Sequence, residues 1–192
     1  MMIDLLGCSM LSWLFRTERG DRRSRRVVFL IECHMNQNAR DQGAAESPAV
    51  NRALIDLLME RQVGMAQIRC PEIACLGFAR LREPGQSIRE ALSEQGPAAC
   101  CAKLAAETAD RIQSYLEQAY EVLAVLGGNA QSPACAIHDQ PGSRHLADSS
   151  GIFMQALAEE LAQRGLHVPF RGVRDVDSNL LKEDLTWLLE HL

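Results

Sequence analysis

At 192 residues, 47% hydrophobic and 23% charged, the chain is long enough for one domain with a sizeable core and offers no reason for two. Its seven cysteines are odd in number and match no disulfide-rich secreted scaffold, so the thiols are expected to be free or to bind metal in a reducing, cytoplasmic setting. Formal net charge is −5, but six arginines crowd between Arg16 and Arg26; residues 27–192 carry 14 basic against 22 acidic residues, net −8, a balance that repels nucleic acid.

Residues 1–26 read as an N-terminal extension and 27–192 as a single α/β domain. MMIDLLGCSMLSWLF is apolar, but Asp4 interrupts it and the arginines follow it, so neither a signal peptide nor a membrane anchor is expected. LLGC at 5–8 lacks the preceding apolar run of a lipoprotein site. The arginine run reads as a solvated extension rather than as a phosphate-contacting arm.

VVFLIEC, 27–33, is β-branched and aromatic and predicts a buried first strand ending at Cys33. Ser47 with Pro48 predicts a helix start, and Val50, Leu54, Leu57 and Leu58 give it an apolar stripe through Arg61. VGMAQIRC, 63–70, predicts a second strand, with Pro71 disfavouring helix at Cys70. After breaks at Pro84, Gly85 and Pro97 and a short helix over 87–93, the spacing from Ala98 to Ala119 is helical. EVLAVLGG is a third strand, and residues 129–151 form a long polar loop holding Cys135. Ser150 is the expected cap of helix 151–164, HVPFRGV the fourth strand, and Ser178 the cap of a C-terminal helix 178–191.

Alternating near-continuous apolar strands with helices predicts an α/β fold: a small Rossmann-like open parallel sheet of four or five strands with helices on both faces. Ligands of such sheets collect beyond the carboxyl ends of the strands. Cys33, Cys70 and Cys135 all fall there, so three cysteines distant in sequence are expected at one rim. Thiolates bind soft metals and iron-sulfur clusters. Three ligands leave one coordination position open. Cys75 is a candidate fourth ligand, and His34 or His138 could complete a zinc site with the cysteines; either arrangement would make a non-catalytic metal-binding or electron-carrier module. Cys101 reads as a buried apolar residue on the helical stripe, and Cys100 points elsewhere.

CHMNQNARDQG at 33–43, CPE at 70–72, SPAC at 132–135 and GIFMQALAEELAQRGLHV at 151–168 resemble, in order and approximate spacing, the motifs of the thiouracil desulfurase family. The resemblance spans residues 27 to about 170, with RDQG where the family has R-Y-D-G and SPACA for its SPSCG. It implies a Rossmann-like domain holding a 4Fe-4S cluster on Cys33, Cys70 and Cys135. It further implies non-redox removal of sulfur from a thiolated pyrimidine or analogue, the sulfur going to the iron without a protein ligand while water replaces it. Glu72, Ser132 and Asp41 are then candidates for proton transfer and substrate orientation. Without that chemistry, Glu72 would cap the following turn and Ser132 would bond to its own turn. Thiolated tRNA as a substrate would rest on the arginine run alone.

Overall fold

The computed structural model describes residues 21–138 and 146–192. Most of the N-terminal extension, with Cys8, and the middle of the long polar loop lie outside the described residues. The chain order is β1 (Arg26–Ile31), α1 (Glu32–Met35), a 3-10 turn (Gln37–Ala39), α2 (Arg52–Glu60), β2 (Gly64–Ile68), α3 (Pro71–Leu76), α4 (Ile88–Ser93), α5 (Gln95–Glu117), β3 (Glu121–Gly127), α6 (Ile152–Gln163), β4 (Phe170–Gly172) and α7 (Ser178–His191). The four strands pair in parallel in the order β2-β1-β3-β4, as the expected open α/β sheet requires.

Alternation along β1 sends its side chains to two cores. Val27, Phe29 and Ile31 join α3, α4, α5 and α6 on one face, while Val28 and Leu30 meet α2 and α7 on the other. The pairing of β1 with β3 slips between Val27 and Val28, so that Val27 faces Val122 and Val28 faces Ala124. This bulge inserts Leu123 as the extra residue and puts it with Ala124 and Leu126 in the α2/α7 core. Burial on both faces explains why these strands are continuous apolar runs rather than alternating ones. Among the described residues, no helix is long and apolar enough to cross a membrane.

Several boundaries differ from the sequence reading, each for a local reason. α2 starts at Arg52, because the Asn51 side chain accepts from the Leu54 amide while the Asn51 N–H donates to the His34 carbonyl; Ser47 and Pro48 stay in the loop. α5 begins at Gln95, and Pro97 sits in its first turn, where no N–H is needed. Ser150 does not cap α6: its hydroxyl accepts from the His138 N–H and donates to the His138 carbonyl. α7 is capped by Asp177, which accepts from the amides of Asn179 and Leu180, rather than by Ser178. β1 and β2 stop at Ile31 and Ile68, so Cys33 and Cys70 lie two residues beyond their strands rather than on them.

Candidate functional site at the strand switch point

β1 leads to β2 on one side and β3 pairs on its other, so the strand order reverses between the parallel β1 and β3 and leaves a crevice at their carboxyl ends. A cavity of about 440 Å³ occupies it. Cys33, Cys70, Cys135, Glu72, Ser132 and Asp41 all line this one cavity, whereas the alternative ligands Cys75, His34 and His138 do not.

Each cysteine is held by its own device. Cys33 lies in α1, immediately after β1, and this turn is tied across to β3 by the His34 Nε2 donating to the Gly127 carbonyl at 2.8 Å. Cys70 precedes α3, whose first residue is Pro71; its N–H donates to Glu32 Oε2 at 2.8 Å, joining the ends of β1 and β2. Cys135 sits in a tight loop in which its N–H donates to Ser132 Oγ at 3.0 Å and its carbonyl accepts from the Gly128 N–H. That loop is pressed between β3 and the start of α6: a Cβ on Gly127 would meet Ile137 and the Cys135 carbonyl, and one on Gly151 would meet the Ala134 backbone.

Charged pairs that the sequence did not reveal form the walls. Arg80, 3% exposed, donates from Nε to Glu72 Oε2 at 2.6 Å and from Nη2 to the Ala39 carbonyl at 2.7 Å, and it approaches Asp41 at 3.9 Å. Asp175, in the loop after β4, accepts from Arg40 at 2.7 and 2.8 Å, Asn129 at 2.9 Å, Gln37 at 3.2 Å and Asn51 at 3.4 Å. These donors come from the segments after β1 and β3 and from the cap of α2, so one carboxylate ties three segments together, of which Arg40 and Asn129 line the cavity. Asp175 could have been flagged by its place past a strand end. Arg80 carries no such sequence signal, because its partners are set by the fold.

Burial pushes the Cys33 thiol up to about 11 against the opposing influence of the Arg40 guanidinium. It also raises Cys70, opposed by the amides of Ile73 and Glu72, and lifts Cys135 well above its ordinary range, with further increments from charge on Cys70 and Cys33. Thiols in this state are poor nucleophiles by themselves; a bound soft metal deprotonates such groups outright. Among the described residues, no three His, Cys, Asp or Glu side chains converge as the ligands of a single metal ion would. Iron-sulfur clusters are held by cysteine thiolates. Cys33, Cys70 and Cys135 are free thiols from three separate segments lining one cavity, the donor type that such a cluster takes.

The expectation that all thiols are free or metal-bound is corrected at two positions: Cys75 and Cys100 form a disulfide between α3 and α5. Cys75 does not line the cavity, which removes it as a fourth ligand. Neither His34 nor His138 lines the cavity. His34 is fully buried on Gly127, and the His138 Nε2 donates to the Ala130 carbonyl at 3.0 Å. Comparison with family models, curated proteins and solved structures gives no match to this chain.

Proposed function

We propose that the protein is an iron-sulfur-dependent desulfurase that removes sulfur from a small thiolated molecule, a thiolated pyrimidine or analogue, without net redox change. The observation that carries this reading is the convergence on one cavity of three free cysteines from three loops, together with Glu72, Ser132 and Asp41. Cys33, Cys70 and Cys135 would hold a 4Fe-4S cluster, with no fourth cysteine lining the cavity among the described residues. When bound, such a cluster supplies a Lewis-acidic iron with an open position to which a thione sulfur can bind.

The chain's own groups then have distinct tasks. Glu72 uses Oε2 in its pair with Arg80, which orients the carboxylate and leaves Oε1 to accept a proton from attacking water. Asp41, half-buried and only loosely paired with Arg80, is a second proton acceptor at the rim. Ser132 accepts from Cys135 N–H, so its own O–H proton remains to donate to a polar ring atom of the substrate. Ile31, Ala39, Ile88, Pro133 and Val176 supply apolar wall, which suits a planar ring and limits water. The cavity is of small-molecule size and carries more carboxylates than arginines, which argues for a small neutral substrate over thiolated tRNA.

The test is sulfide release from 2-thiouracil by anaerobically reconstituted protein. The expected result is turnover that Glu72→Gln lowers about a hundredfold when compared per iron bound. Iron-loaded protein that releases no sulfide from any of a panel of thiolated pyrimidines overturns the proposal.

A further inference from the structure

A third sulfur stands beside the Cys75–Cys100 disulfide. Cys101 Sγ lies 3.7 Å from Cys75 Sγ, inside the core and 1% exposed. Consecutive residues of α5 therefore offer Cys75 two partners, one already bonded and one in van der Waals contact. On its other side, Cys75 borders a surface depression of about 420 Å³, formed with Leu81, Arg82, Gln86 and Glu94. Cys75 thus sits between a buried thiol and a depression open to solvent. In a reducing compartment, disulfides of this kind are usually transient, catalytic or redox-sensing.

We propose that Cys75, Cys100 and Cys101 form a thiol–disulfide exchange site that admits a small thiol from this depression and uses Cys101 as the resolving thiol. The thiolate of the small molecule attacks Cys75 Sγ; a bond forms between those sulfurs, the Cys75–Cys100 bond breaks, and Cys100 leaves as a thiolate that takes a proton from solvent. Cys101 then gives up its proton and attacks Cys75 Sγ. This forms the Cys75–Cys101 bond and returns the small thiol. One disulfide is present before and after, so no oxidant or reductant is consumed. Burial, reinforced by charge on Glu72, pushes the Cys101 thiol up to about 11, so Cys101 attacks only after giving up its proton. The exchange moves the anchor of α3 by one residue along α5. It requires nothing of the neighbouring cavity's chemistry.

The test uses the full chain incubated with substoichiometric glutathione, quenched in acid, alkylated and mapped by fragmentation mass spectrometry. Wild type is expected to accumulate Cys75 linked to Cys101, with Cys100 alkylated. Cys101→Ser, and Cys101→Ala as a check on folding, are expected to trap glutathione on Cys75 with at least a tenfold gain over wild type. Cys75 linked only to Cys100 throughout, or glutathione carried on Cys100 instead, overturns the proposal.

Discussion

Glu72 and Arg80 are the residue pair on which the cavity wall depends. Both are buried, and the guanidinium also holds the Ala39 carbonyl, so it closes the loop after β1 onto α3. Removing one member of a buried pair leaves the other charge without compensation, which costs about 3–5 kcal/mol. Arg80→Ala is therefore expected to lower the unfolding free energy by about 3 kcal/mol, read from denaturant midpoints. A smaller loss is expected for the double change Glu72→Gln with Arg80→Met, because it leaves no buried charge behind. A single and a double variant of equal stability would refute the pairing argument. Six cavity residues were legible in the sequence because short motifs mark strand ends. Arg80, Arg40 and Asp175 were not, because a salt bridge between residues such as 40 and 175 leaves no local pattern.

At the scale of elements, the position of Cys135 is set by how closely α6 approaches the preceding loop. Gly151 has no room for a Cβ against the Ala134 backbone, and backbone cannot swing aside as a side chain can. Gly151→Ala is expected to destabilise by about 2 kcal/mol and to weaken retention of the proposed cluster, whereas Gly96→Ala, with open space around it in α5, is expected to be neutral or slightly stabilising. Parallel thermal melts of the two variants decide the point. α3 is held to α5 by the Cys75–Cys100 bond across a separation of 25 residues. Loop-closure entropy puts the cost of reducing it at about 3 kcal/mol, measurable by denaturation with and without a thiol reductant. The helices were legible from apolar spacing, but their first residues were not. Asn51 and Asp177 took the capping role from Ser47 and Ser178, since the tertiary bond from the Asn51 N–H to His34 and the reach of the Asp177 carboxylate decided the start. The disulfide was missed for a similar reason: compartment reasoning treats cysteines as a composition, whereas the packing of α3 on α5 brings two particular ones together.

For the whole molecule, the parallel sheet with helices on both faces followed from the continuous apolar strands and their alternation with helices, and the strand order places the reversal between β1 and β3. That reversal makes the crevice, and the crevice collects the loops bearing residues 33, 70 and 135. Iron and acid-labile sulfide in anaerobically reconstituted protein test the central claim most directly. The account predicts about four of each per chain, unchanged in Cys75→Ser and lost in each of Cys33→Ser, Cys70→Ser and Cys135→Ser. Protein that takes up no iron under these conditions, or that keeps its full iron without any one of the three cavity cysteines, would contradict it.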